Sequence, residues 1–322
     1  MKKYYIGVDL GGTNTKVALL GKRFDILRKS SFPTPLDKRP SRVISIIKSV
    51  IDDMLNDRRA SLKEVFGIGI GLAGLVNTRE GFIYNLVNIP GWRGVNIKKM
   101  LQNIAKVPVY ADNDANVMAL AEFYKGAGKG SKNLICVTLG TGVGGGIILN
   151  GDIYRGSTFS AGEIGHIPLN EEGPRCNCGG TACIETYVGN RYMMRELTRK
   201  IKRGDSTVLK EMAGRDLSRL TPELLYKAAR RGDRFAKDFW EELGVKLGIA
   251  LAGIVNVFNP DCIIIGGGVA SAGKFLFAPI RKTIKRRAME VQSKHIRILK
   301  AKLGGDAGLV GAGILVETEK GR

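Results

Sequence analysis

Three of the chain's five cysteines, Cys176, Cys178 and Cys183, fall within eight positions, downstream of His166, one of only two histidines. A C-x-C-x₄-C run preceded by a histidine offers three thiolates and one imidazole, the closed tetrahedral donor set of a structural zinc. A disulfide would leave one of the three unpaired, and free core thiols better describe Cys136 and Cys262, each inside an apolar run. Zinc is therefore preferred. Between the histidine and the first cysteine lies "IPLNEEGPR", too poor in apolar residues to order itself by burial, so ligation would supply the ordering free energy. Glu163 and Glu185 flank the cluster. Each alone reads as a solvated surface acid; held rigidly together, two carboxylates could accept hydrogen bonds from adjacent hydroxyls of a sugar.

A second set of residues suits phosphate. Residues 6–21, "IGVDLGGTNTKVALLG", align at a constant offset of 129 with residues 135–150, "ICVTLGTGVGGGIILN", matching at Ile6, Val8, Leu10, Gly11 and Leu20. Each copy is an apolar run, a Gly/Thr turn and a second short run rich in β-formers, which predicts two β-hairpins and a duplicated fold. The dinucleotide fingerprint and the Walker loop both need a helix after the glycines, so neither fits. Such turns are often ordinary tight hairpins. Two related ones can also present backbone N–H groups and a hydroxyl to phosphate oxygens. Asp9 stands where the second copy has Thr138. An acid beside a phosphate would repel it unless a cation intervened, so Asp9 is the candidate to hold Mg²⁺ through water.

The third candidate is Asp114. "VPVYADNDANVMALAEFYKG" reads as a strand, a polar turn and a helix ending near Gly126, capped by Asn113 or Asp112, with Asp114 in its first turn. The helix dipole favours an ionised carboxylate there. Such a group could take the proton of a hydroxyl attacking a γ-phosphorus, or be only a favourable first-turn acid. Further on, "NPDCIIIGGGVASAG" predicts a buried strand, glycines and a helix start, a junction open enough for a nucleoside or a phosphate. The helix before it carries Gly244, Gly248 and Ala252 four apart, a spacing suited to close helix packing.

The elements that would position these groups are bounded by composition. With 322 residues, 44% of them hydrophobic, and 43 glycines, the chain is long enough for two globular domains. No apolar run reaches the ~18–20 residues of a membrane span, and Asp9 comes too early for a signal peptide. A reducing, cytoplasmic setting is expected. The net charge of +21 resides mainly in amphipathic stretches such as "RYMMRELTRKIKRG", without interleaved aromatics. Solvated helix faces explain it better than specific nucleic-acid binding, and a positive field would steer an anion such as a nucleotide.

The stretches "DLGGTNTK" (9–16), "GIGLAGLVN" (69–77), "NIPGW" (88–92), "DNDAN" (112–116), "LGTGVGGGI" (139–147), "GEIGH" (162–166), "CNCGGTACIE" (176–185) and "IIIGGG" (263–268) together resemble the ROK family of sugar kinases, most closely its bacterial glucokinases. The resemblance covers nearly the whole chain, in the family's order. It implies an α/β, two-lobed, actin-like ATPase (ribonuclease H-like) fold with duplicated domains and a cleft between. The expected division is 1–117 plus the C-terminal helix, about 304–322, against 118–303, which holds the zinc loop.

The resemblance further implies phosphorylation of a hexose 6-hydroxyl by ATP with Mg²⁺, with glucose as the expected acceptor. Asp114 becomes the general base. Asn88, Asn113, Asp114, Glu163, His166 and Glu185 become the sugar contacts, with His166 also a zinc ligand. Gly11, Gly12 and Thr13 would hold phosphates from one lobe, Thr141 and Gly142 from the other, and Gly267 and Gly268 would lie along the adenosine. A homodimer is the expected assembly. The chain departs from the pattern at Ala73, where the family has proline, which bears on hexose choice, and at Ala182, where glycine often precedes the third cysteine. N-acetylmannosamine, N-acetylglucosamine and fructose kinases are alternatives. A sugar-responsive transcription regulator is disfavoured, since such regulators carry a helix-turn-helix ahead of the phosphate hairpin and Asp9 leaves no room for one.

Overall fold

A computed structural model of the chain describes residues 1–321 except 36, 38, 87, 88, 90 and 215. It divides into two compact units, residues 1–130 with 146–162 and 302–322, and residues 131–145 with 163–301. The first unit thus runs past the expected boundary at 117. The reason is packing: the helix Asp114–Tyr124 stays with it whole. A Cβ at Gly311 of the last helix would lie 1.8 Å from the Val117 carbonyl oxygen, and one at Gly146 would lie 2.7 Å from that of Ala115.

In the first unit, β1 (Tyr4–Leu10), β2 (Asn14–Leu20), β3 (Ile26–Pro33), β4 (Val65–Leu72) and β7 (Val109–Asn113) form a sheet of order β3-β2-β1-β4-β7. A separate hairpin joins β5 (Gly74–Asn77) and β6 (Phe82–Leu86). Strands β1 and β2 pair antiparallel, as the hairpin pattern predicts, and β1, β4 and β7 run parallel. Alternation assigns the two faces of β1. Ile6, Val8 and Leu10 enter one core with Val43, Ile47, Ile51 and Leu55 of the helix Pro40–Asn56 and Leu101 of the helix Ile97–Ala105. Tyr5, Gly7 and Asp9 point the other way, where Tyr5 packs with Leu309 of the last helix, Ala307–Glu319. That helix sits so close that a Cβ at Gly7 would lie 2.0 Å from the Leu309 carbonyl oxygen, and one at Gly69 would lie 1.7 Å from that of Ala312. Only residues without side chains admit it.

The second five-stranded sheet has the order β10-β9-β8-β11-β12, built from β8 (Leu134–Leu139), β9 (Val143–Leu149), β10 (Asp152–Tyr154), β11 (Cys262–Gly266) and β12 (Arg297–Lys300). The strands β8 and β9 are neighbours, so the second copy of the repeat is also strand–turn–strand. In the second unit β11 lies parallel between β8 and β12. The helix Arg234–Phe258 packs on the helix Lys274–Arg287 through the expected small residues. A Cβ at Gly244 would meet Pro279 at 2.4 Å, and one at Gly248 would meet Thr283 at 2.7 Å. Cys136 and Cys262 are buried in β8 and β11. No helix among the described residues is long and apolar enough to cross a membrane.

Candidate active site

The carboxyl ends of parallel strands are where an α/β sheet presents ligand groups, and the first unit places its two key acids there. Asp9 pairs in register with Gly71 of β4, which pairs with Asp112 of β7. Two strand spacings therefore separate Asp9 from Asp112, about 9–10 Å. Asp114 follows two residues on, as the first residue of its helix. The Asn113 side chain caps that helix, its oxygen accepting from the Ala115 N–H at 2.8 Å and the Asn116 N–H at 3.4 Å. Its amide donates to the Gly74 carbonyl at 3.1 Å. Of the two caps the sequence allowed, Asn113 is the one used. The Asp114 carboxylate accepts from the Ala115 N–H at 2.9 Å and the residue is exposed.

Gly11, Gly12 and Thr13 form the β1–β2 turn, closed by the Gly11 N–H on the Asn14 carbonyl at 3.1 Å. Thr34 braces it from β3's end, its hydroxyl donating to the Gly11 carbonyl at 2.7 Å and its N–H to that of Thr13 at 2.8 Å. Lys16, opposite Asp9 across the hairpin, brings its ammonium to 3.5 Å from the Asp9 carboxylate and 3.4 Å from the Gly305 carbonyl. Sequence reasoning missed Lys16, although the hairpin register itself sets it against Asp9.

The second unit gathers the remaining candidates. His166 Nδ1 lies 3.6 Å from Cys176 Sγ, and Cys178 Sγ lies 3.7 Å from Cys183 Sγ. All four donor atoms fall within 4.8 Å of one another. A tetrahedron with Zn–S near 2.3 Å and Zn–N near 2.05 Å requires edges of about 3.8 Å between sulfurs and about 3.6 Å between sulfur and nitrogen. The donor set fits. Backbone pairing makes it: Ile184 N–H bonds the Ile167 carbonyl at 3.0 Å and Leu169 N–H that of Ala182 at 2.9 Å, drawing the histidine and third-cysteine segments together. Burial pushes the Cys183 thiol up to about 12 and raises that of Cys176. A metal held there would have to displace those protons, which would make its binding steeply pH-dependent.

With Nδ1 turned to the cysteines, His166 Nε2 faces the Glu163 carboxylate at 3.8 Å. Burial raises the Glu163 carboxyl above its ordinary value; His166 opposes that shift and Glu185 adds to it. Glu185 accepts from the Val143 N–H at 2.9 Å. A Cβ at Gly142 would strike the Glu185 carboxylate at 2.2 Å. The Asn190 N–H holds the Gly140 carbonyl at 3.0 Å. The turn containing Thr141 and Gly142 therefore leans on the segment that follows Cys183 directly. Gly267, at φ +88°, abuts the same turn: a Cβ there would lie 2.2 Å from the Leu139 carbonyl oxygen. Gly268 begins the short 3₁₀ turn leading to the next helix. Asn88 lies outside the described residues. Ala182, the departure from glycine, is buried at φ +54°, a left-handed conformation that glycine would adopt without strain.

Comparison with known proteins gives relatives across the full length. The chain is 38% identical to a glucokinase of Halalkalibacterium halodurans, over 99% of this chain and 96% of the relative. A ROK family glucokinase from Streptomyces griseus, solved in complex with glucose and AMPPNP, superposes with a TM-score of 0.83 at 32% identity, covering 98% of this chain and 99% of that one. A xylose repressor of Caldicellulosiruptor bescii is 27% identical over 95% of this chain and 76% of its own length. The ROK family model matches residues 5–319, and the chain belongs to the ROK family.

Proposed function

We propose that this protein is an ATP-dependent hexose kinase that transfers the γ-phosphoryl group to the 6-hydroxyl of glucose. The observation that carries the reading is Asp114, an exposed carboxylate at a capped helix start, in a chain whose full-length relatives include glucokinases. The sugar oxygen forms a bond to the γ-phosphorus, the bond from that phosphorus to the β,γ-bridging oxygen breaks, and the hydroxyl proton passes to Asp114. Such transfer is mostly positioning and charge neutralisation, so Asp114 aims the hydroxyl and takes its proton late. Asn113 holds the helix start in place.

Glu163, His166 and Glu185 accept from or donate to the sugar hydroxyls, with Asn88 and Asn113. Gly11, Gly12 and Thr13, and Thr141 and Gly142, bind the phosphates through backbone and hydroxyl donors, while Gly267 and Gly268 leave room for the adenosine. Asp9 would hold Mg²⁺ through water, and that ion neutralises phosphate charge when bound. His166, Cys176, Cys178 and Cys183 would hold a structural Zn²⁺, which would fix His166 and, through Cys183, the Glu185 support of the phosphate turn. The protein acts in the cytoplasm as a homodimer.

The deciding experiment is a panel of glucose, fructose, N-acetylglucosamine and N-acetylmannosamine in a coupled ADP-release assay with MgATP. Glucose should give the highest kcat/KM, and Asp114→Asn should lower turnover by about 10²–10⁴-fold. A preference for another sugar would reassign the acceptor. No phosphorylated product with any sugar would overturn the kinase reading, and a DNA mobility shift surviving physiological salt would then favour a regulator.

A further inference from the structure

Arg155 follows β10, outside every motif the sequence reading singled out, yet its guanidinium lies inside the first unit with a side chain only 10% exposed. Its Nε donates to Asp112 at 2.8 Å and its Nη2 to Glu319 at 2.9 Å, those side chains being 1% and 18% exposed. A largely buried charge trio is a poor device for stability alone, because an apolar group of similar volume does as well or better; it can instead fix one conformation. The conformation it fixes here is that of the helix start. The other oxygen of Asp112 accepts from the Asn113 N–H at 2.7 Å and from the Asn116 side-chain amide at 2.8 Å. Asn113 is the cap and Asn116 lies in the first turn, so Asp112 grips Asp114 from both sides in sequence. The Arg155 carbonyl also accepts from the Ala161 N–H at 3.0 Å, closing the loop that leads to Glu163.

We propose that Arg155, anchored by Glu319 at the end of the last helix, is a positioning residue for the phosphoryl-transfer step: it sets Asp112, and through Asp112 the cap and first turn that aim Asp114. The proposal rests on the kinase reading for its consequence, not for its geometry. A base displaced by about 1 Å costs on the order of 10²-fold in rate. Arg155→Gln should therefore lower kcat for glucose by about 10²-fold while KM for ATP moves less than about threefold, the pattern of an interaction expressed at the transition state. Arg155→Lys, reaching one carboxylate at a time, should lie between. Millimolar guanidinium should restore part of the turnover of Arg155→Ala.

Hydrogen–deuterium exchange separates this proposal from the reading beneath it. In substrate-free protein, the peptide spanning residues 112–118 should exchange faster in Arg155→Gln and, less so, in Glu319→Gln, while peptides of the second unit stay unchanged. Unchanged exchange at 112–118 overturns the positioning role whether or not the protein phosphorylates sugar. So does an active enzyme whose kcat survives Arg155→Gln. A loss of rate matched by faster exchange throughout the chain, with no rescue, would mark Arg155 as structural only and equally overturn it.

Discussion

Glu122 allows the sharpest test of how the Asp114 helix ties the first unit together. It is fully buried, and its carboxylate is met by backbone N–H groups alone among the bonds described. Ala127 donates to Oε2 at 2.8 Å, Leu303 to Oε1 at 2.8 Å, and Lys302 to both oxygens at 2.9 and 3.1 Å. Gly126 makes the fold-back possible, since a Cβ there would fall 2.0 Å from Oε2. Glu122→Gln keeps the shape but leaves one acceptor oxygen. If that oxygen keeps Lys302 and Leu303, the new amide must point N–H at the N–H of Ala127. Stranding that donor costs about 1–3 kcal/mol, and two charge-assisted bonds weaken by about 1 kcal/mol each. Relief from burying a charge offsets part of this, leaving a loss of about 2–3 kcal/mol. The run it clamps carries Gly305, whose carbonyl meets Lys16, and Gly308, packed against Asp9, so KM for MgATP should rise as well. Urea unfolding read by Trp92 fluorescence in a Trp240→Phe background would report the first unit alone. If the Gln variant unfolds at the parent's midpoint, the clamp contributes nothing and the reasoning fails.

Four further outcomes are expected. Asp114→Asn should lower kcat by about 10²–10⁴-fold with ATP binding retained; comparable losses in both would argue against a role confined to the transfer step. Gly69→Ala sets a methyl 1.7 Å from the Ala312 carbonyl oxygen and should destabilise by about 1–3 kcal/mol or more, while a wild-type melting temperature would mean the last helix shifts freely. Ala182→Gly should relieve about 1 kcal/mol of left-handed strain, seen as slower loss of metal to a chelator; faster loss would show that packing of the methyl matters more.

The last outcome concerns acid. Asp261 accepts from the Asn133 N–H at 2.8 Å and the Lys132 N–H at 2.6 Å, and these bonds hold its carboxyl below the ordinary range. Its contribution is complete above the unfolded value of about 4 and is lost as pH falls through the lower, folded value. The stability gap between the parent and Asp261→Asn should therefore close in that acidic window, and a gap independent of pH would contradict it.

The sequence alone determined the chemistry-bearing groups and their local settings. The hairpins, the capped helix start at Asp114, the clustered histidine and cysteine donors and the small-residue helix pair all follow from spacing, turn chemistry and capping, which act over a few residues. What it could not determine were partners fixed by distant packing. Nothing near Glu122 announces that its carboxylate clamps residues 302–303, and nothing near Arg155 announces Asp112 and Glu319, because those contacts exist only once the last helix lies on β1 and β4. The unit boundary followed the same rule: the Asp114–Tyr124 helix belongs with the first unit because Gly311 admits it against the last helix, not because of any local signal. Short-range hydrogen bonding is written in neighbouring residue types, whereas the pairing of buried charges is set by which surfaces meet when the sheet and its helices close.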